Sequence, residues 1–463
     1  MTRCAPDTDT IAARATAAGE AAIAIIRLSG PRAISIARRC FRPHNPERDK
    51  SYHMTLGLFI NPASGDVVDE IFCVHFPSPH SYTGEDCVEI HGHGGPATVG
   101  AILDILYREG ARPAQPGEFT RRAFLNGRMD LSAAEAVCDL IQARTERAAR
   151  IALRQVQGGL AQALKSVRDG LLSLSAGIEA RLDFPVETSE EKDKGQFLLD
   201  ELHGIVEIIH ELLQQGKRGR LFRRGARVVI LGRPNTGKSS LFNGLLRMER
   251  AIVTPHPGTT RDTIEGSVDM DGCPVTFVDT AGLRSSPDEV EALGMDRARA
   301  EAQKADLLIL LLDCSEPLQD EDRDILNHLG PAPCILALNK TDLPEEISEE
   351  ALLPFRERAD MCVMISALTG AGLPEMEGAI LALLAKDGAW DEDALVTADR
   401  HIALLEETRA SLLSAMSGLE QGMYDELVMV DIRRALLGLS RITGEEVSDE
   451  ILSLIFSRFC IGK

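Results

Sequence analysis

Gly232-Arg-Pro-Asn-Thr-Gly237-Lys238-Ser239 follows an apolar run, Arg227–Leu231, and leads into helix-forming sequence, Ser240–Leu246. A strand, a glycine-bearing turn and a helix in that order are the setting a phosphate-cradling loop requires. Glycines let backbone N–H groups turn inward around phosphate oxygens, and the helix N-terminus adds the positive end of its dipole. Lys238 then reaches the β- and γ-phosphates, and the Ser239 hydroxyl ligates Mg2+. Asn235, Thr236, Gly237 and Ser240 complete the loop's contacts.

The surroundings extend the pattern. Pro274–Val278 reads as a strand ending in Asp279-Thr280-Ala281-Gly282. Asp279 stands where a carboxylate holds Mg2+ through water, and the Gly282 N–H meets the γ-phosphate. Cys334–Leu338 is a strand ending in Asn339-Lys340-Thr341-Asp342, and Cys362–Ile365 leads to Ser366-Ala367. An Asp342 carboxylate accepts both N1–H and the exocyclic amine of guanine; adenine leaves it unpaired, so GTP is chosen over ATP. The backbone N–H of Ser366-Ala367 reaches the guanine O6. Four elements in order, each at a strand's C-terminal end, place the site on that edge of a parallel sheet. Leu283 stands where many such proteins carry a water-orienting Gln, so water must be positioned by another group; Arg261, Arg284, Asp288, Glu289 and Glu291 are the candidates.

Around this core the 463 residues show three textures. Residues 1–125 mix short β-rich runs with Gly/Pro turns and suggest an α+β domain. Residues 126–222 are Ala- and Leu-rich; Leu160, Leu164, Val167, Leu171, Leu174 and Ile178 paint one helix face. Residues 223–384 alternate strand, loop and helix. Residues 385–463 return to helical texture. Packing the two helical blocks together would bury both apolar faces and make the α/β domain an insertion; two separate helical domains are the alternative. Lys217–Arg224 and Asp387–Asp393 would be the connecting strips.

A net charge of −21 excludes a uniformly basic nucleic-acid surface, and 4% aromatic content argues against a base-stacking platform. No run of about 18 apolar residues predicts a membrane span, and no secretory signal is read at the N-terminus. Ten scattered cysteines without a C-x-x-C pair read as reduced, buried thiols of a cytoplasmic protein, among them Cys73, Cys334 and Cys362.

Several passages resemble the MnmE (TrmE) family of tRNA-modification GTPases. They are Asp9–Thr16, Ala24–Gly30, Tyr82–His91, Gly92–Pro96, Pro116–Leu131, Ala133–Ala136, Gly258-Thr-Thr-Arg-Asp262, Asp288–Glu291 and the terminal Phe459-Cys-Ile-Gly-Lys463. The resemblance implies a folate-binding N-terminal domain that dimerises, a helical domain built from two segments, and an inserted P-loop GTPase domain. It implies K+-stimulated GTP hydrolysis. With an FAD-binding partner, MnmG, in a heterotetramer, the family modifies C5 of the tRNA wobble uridine from a tetrahydrofolate one-carbon unit. It also assigns roles. Asn235, Thr254, His256 and Thr259 match K+ ligands, Thr260 the second Mg2+ ligand, and Glu291 the water-positioning acid that answers Leu283. Arg27, Glu89, Arg128 and Lys463 match folate contacts, and Cys460 a position of functional importance. Two departures stand out: Arg128 replaces a Lys that can occur there, and Pro255 and Pro257 remove backbone donors from the K+ loop.

A neighbouring cation favours the Cys460 thiolate, but spacing alone leaves catalysis and packing open. His91 and His93 share strand spacing and suggest a turn lining the folate pocket rather than a metal site. Arg144, Arg147, Arg150 and Arg154 form a helical row, read as a solvated face in preference to a tRNA contact. A ribosome-assembly GTPase and a non-catalytic scaffold are the rival functions; the acidic C-terminal block opposes the first and Glu291 the second.

Overall fold

The computed structural model describes residues 9–183, 191–248, 250–251, 264–279, 300–385 and 394–463. It divides into two compact units: residues 1–139, 153–205 and 407–463 form one, residues 140–152 and 206–406 the other.

In the first unit a seven-stranded sheet runs β3-β4-β5-β6-β2-β1-β7. The strands are β1 (Ile11–Arg14), β2 (Ile23–Ser29), β3 (Phe41–Pro43), β4 (Thr55–Ile60), β5 (Val67–Phe76), β6 (Cys87–His93) and β7 (Arg112–Pro113). Pairing is antiparallel except between β1 and β7. Helices α1 (Ala33–Cys40) and α2 (Pro96–Arg108) cover one face, burying Ile36, Ile102 and Leu106 on Ile26, Leu28 and Ile90. Period-two alternation is the cause: on β2, Ala24, Ile26 and Leu28 point into this core. Short helices α3 (Glu118–Leu125) and α4 (Leu131–Gln142) follow; the next helix, α5 (Glu146–Val156), lies mostly in the second unit.

The helical stripe expected from Leu160 to Ile178 forms within α6 (Gly159–Asp183), and all six of its residues are buried. Its partner comes from the far end of the chain. Ion pairs Glu179–Arg433 and Arg168–Glu445 join α6 to the helix Asp425–Thr443 and the turn beyond it. One helical domain is thus made of two segments, as the paired apolar faces predict.

The second unit holds a seven-stranded sheet ordered β14-β13-β12-β8-β11-β10-β9. Its strands are β8 (Ala226–Leu231), β9 (Arg250–Ala251), β10 (Ile264–Met270), β11 (Cys273–Asp279), β12 (Leu307–Asp313), β13 (Cys334–Asn339) and β14 (Met361–Met364). The five strands from β14 to β11 are parallel; β10 and β9 add antiparallel edges. Every residue of β12 is buried because helices cover both faces. Leu307, Ile309 and Leu311 pack with α8 (Lys238–Met248) and the helix Leu373–Ala385; Leu308, Leu310 and Leu312 pack with Leu352 and Phe355 on the other side.

Two expectations change. Cys362 is exposed, because β14 is the last strand of the sheet and turns this side chain outward. Lys217–Arg224 is no connecting strip: it is the last part of α7 (Glu191–Arg224), with Leu221 and Phe222 buried in the α/β core. The strip at 387–393 lies outside the described residues.

Candidate functional site

The phosphate-cradle sequence folds as a turn between β8 and α8, at the C-terminal edge of the parallel strands. Asn235 and Gly237 have positive φ, +63° and +98°. Gly237 is required twice over, since an added Cβ would lie 2.3 Å from the Asn339 amide nitrogen. Lys238 is buried, and its ammonium donates to the Gly232 and Arg233 carbonyls at 2.8 and 2.7 Å, so its head lies over the loop. Ser239 Oγ donates to Asp279 Oδ2 at 2.8 Å. Two hard oxygen donors side by side, one anionic, suit a small divalent cation.

Asn339 ties three loops together. Its amide donates to the Thr236 carbonyl at 2.7 Å and accepts from the Ala367 N–H at 2.9 Å. The turn after β8 and the segments following β13 and β14 are therefore held in one frame. Ser366 Oγ donates to Asp342 Oδ1 at 2.6 Å and accepts from the Thr369 N–H at 3.2 Å, which fixes the carboxylate's orientation. The structure thus brings together Asn235, Thr236, Gly237, Lys238, Ser239, Ser240, Asp279, Asn339, Lys340, Asp342, Ser366 and Ala367. Thr254, His256, Thr259, Thr260, Thr280, Ala281, Gly282 and Glu291 lie outside the described residues.

A second cluster forms in the first unit, where the C-terminal tail meets the sheet. Arg27 on β2 pairs with Glu89 on β6 at 2.8 Å; the two are register partners. The Arg27 guanidinium lies 5.0 Å from the Tyr82 ring centroid and 5.8 Å from that of Phe119. It also points an Nη1 at the Gly462 carbonyl, 3.5 Å away. Gly462 has φ +97°, and a Cβ there would strike the Arg14 carbonyl at 2.2 Å, so only glycine lets the tail enter so closely. The His91 hydrogen bond and the Arg27 cation outweigh burial and hold the Glu89 carboxyl down at about 2. Burial and the Arg27 charge push the Lys463 ammonium below its ordinary value. Arg128 packs its stem on Gly84, and Cys460 is exposed, its carbonyl accepting from the Gly117 N–H at 3.4 Å.

The histidines do not form the expected turn. Both lie on β6, where His91 bonds Glu89 at 3.2 Å and His93 bonds Asp69 at 2.6 Å. Strand pairing with β2 carries this segment through without a bend. Among the described residues no cluster of three or more metal-ligating side chains occurs. The arginine row also divides. Arg147 is locked over the Phe222 ring at 5.3 Å, Arg150 pairs with Glu146 at 2.6 Å, and Arg144 precedes the helix.

Some contributors were not singled out in the sequence. Arg122, only 2% exposed, bonds Asp9, Glu85 and Glu118, and Arg112 binds Glu118 with both terminal guanidinium nitrogens. Two guanidiniums and three carboxylates nearly balance, which makes burial tolerable. The network anchors α3 and with it Phe119 beneath Arg27. No motif marks these residues; their relation exists only across strands and loops.

A family profile described as the GTP-binding protein TrmE N-terminus matches residues 10–128, and one described as the MnmE helical domain matches residues 131–460. A protein of Enterococcus faecalis named tRNA modification GTPase MnmE is 41% identical over 458 residues, 98% of each chain. One of the same name from Streptococcus pyogenes serotype M3 is 42% identical over 457 residues, again 98% of each. This chain belongs to the MnmE family. The relatives cover 98% of this MnmE-family chain. Its α+β N-terminal domain, two-segment helical domain and inserted P-loop GTPase domain follow the family pattern. No described helix is long and apolar enough to cross a membrane.

Proposed function

We propose that this chain is a K+-stimulated GTP hydrolase that acts on tRNA together with an FAD-binding partner of the MnmG type. Its product is a carboxymethylaminomethyl- or aminomethyl-type group on C5 of the wobble uridine, built from a tetrahydrofolate one-carbon unit. The observation that carries the nucleotide half is the single frame holding Lys238, the Ser239–Asp279 pair and Asp342 through Asn339.

Lys238 exchanges its loop carbonyls for phosphate oxygens, and the loop's N–H groups and the α8 N-terminus accept the charge that develops on the leaving phosphate. Asp342, aligned by Ser366, reads guanine. Ser239 and Asp279, with Thr260, hold Mg2+, which neutralises phosphate charge when bound. Asn235, with Thr254, His256 and Thr259, offers oxygen ligands for K+. Glu291 orients the attacking water in place of the missing Gln. In the first unit Arg27, Glu89, Arg128 and Lys463 offer the charged and hydrogen-bonding groups a folate's pterin and glutamate require, beside exposed Cys460. The working assembly is a homodimer joined by MnmG in a heterotetramer, in the cytoplasm.

Turnover of GTP is expected to be several-fold faster in K+ than in Na+, with ATP inert, and Glu291→Ala is expected to abolish hydrolysis while GTP binding survives. Equal, negligible rates in both salts would favour a scaffold. Mass analysis of wobble nucleosides in a deletion strain tests the tRNA half; an unchanged profile rejects it.

A further inference from the structure

Asp313 ends β12 beside the base-recognition loop, opposite Asn339 in the β12–β13 register. It is only 4% exposed. One carboxylate oxygen lies 2.5 Å from Lys340 Nζ; the other accepts from the Ser315 N–H at 3.0 Å and the Ser315 hydroxyl at 2.7 Å. The next residue is tied in as well, since the Cys314 N–H donates to the Asn339 carbonyl at 2.9 Å.

Lys340 needs such a partner. It is a non-glycine residue at φ +67°, in the left-handed region, where a side chain costs on the order of 1 kcal/mol unless surrounding contacts fix it. Its neighbour Asn339 is already held by Thr236 and Ala367. The loop from Asn339 to Asp342 therefore has two anchors, one on the phosphate loop and one on Asp313. Lys340 is the residue between the frame and the guanine-reading carboxylate. Other charged groups nearby are accounted for: Arg233 pairs with Glu316 at 2.7 Å and faces Asp322 at 3.4 Å.

From this geometry we infer that Asp313 is a positioning residue for guanine recognition: its ion pair holds Lys340, and thereby the loop that presents Asp342, in the binding conformation. The inference rests on reading Asn339–Asp342 as the guanine loop. It makes Asp313 act through Lys340, not through general support of the fold, and that difference is measurable.

The test is a double-mutant cycle on the full chain, read as the Kd for fluorescent GDP. Asp313→Asn and Lys340→Ala are each expected to weaken binding about tenfold or more, the weight of a charge-assisted hydrogen bond. Adding Asp313→Asn to Lys340→Ala is expected to cost less than threefold further. Asp313→Glu, which keeps the charge, is expected to restore most of the affinity, and this arm stands even where the Asn variant folds poorly. Multiplicative losses in the double variant, or equal losses for Asn and Glu at 313, overturn the inference. Wild-type chain that binds no GDP overturns the nucleotide reading itself, a result distinct from multiplicative losses in a chain that binds.

Discussion

At the scale of single residues, the proposed choice of guanine turns on the Asp342 carboxylate, which Ser366 holds in place. Asp342→Asn replaces an acceptor with a donor, so guanine meets a repulsive pair and xanthine a matching one. GTP affinity is expected to fall by about 2 kcal/mol or more and xanthosine triphosphate to compete, as measured by displacement of fluorescent GDP. Glu89 gives a pH prediction. Its carboxyl is held at about 2 in the fold, below the ordinary 4.5. Its contribution is therefore fully present above pH 4.5 and is lost as pH falls towards 2. Between pH 7 and pH 3 the wild type is expected to lose on the order of 2 kcal/mol more than Glu89→Gln, read from urea midpoints at the two pH values. The motif residues were legible in the sequence because each belongs to a pattern within its own loop. Asp313 was not: it reads as the end of an apolar run, and its meaning comes from Lys340 on the neighbouring strand.

At the scale of elements, the β10–β11 hairpin is held at its turn by the segment leading into α5. Thr145 Oγ1 donates to the Gly272 carbonyl at 2.6 Å, and Arg147 Nη1 to the Asp271 carbonyl at 3.1 Å. Gly272 has φ +82°, and an added Cβ would lie 2.7 Å from Arg147 Cβ. Gly272→Ala is expected to destabilise the α/β unit by about 1–3 kcal/mol, seen as a lower thermal midpoint, because backbone strain and overpacking act together. Helix existence was readable from periodicity; helix allegiance was not. The arginine row suggested a solvated face, yet Arg147 lies over Phe222 and closes a hairpin. An arginine's long stem packs wherever an aromatic ring is offered, and periodicity does not record that.

At the scale of the whole molecule, two compact units are threaded by one chain that passes from one to the other four times. Each has its own buried core, so calorimetry is expected to resolve two transitions. Saturating GDP binds only the α/β unit and is expected to raise one transition, by about 2.7 kcal/mol of stability at 100 times Kd, leaving the other in place. A single transition that moves as a whole would show the units to be cooperative. The two-segment helical domain was foreseen from paired apolar faces alone, whereas the passage of residues 140–152 and 206–222 to the α/β unit was not.

Strand, turn and helix around residues 227–246 and the apolar stripe of α6 were determined by sequence alone, because each follows from periodicity or from groups within one loop. Tertiary structure alone decided which distant charges meet: Lys340 with Asp313, Arg122 with three carboxylates, Arg27 with a carbonyl 435 residues away. A buried charge is stable only beside its counter-charge. That partner is chosen by how strands and tail come together in space, which no local pattern encodes.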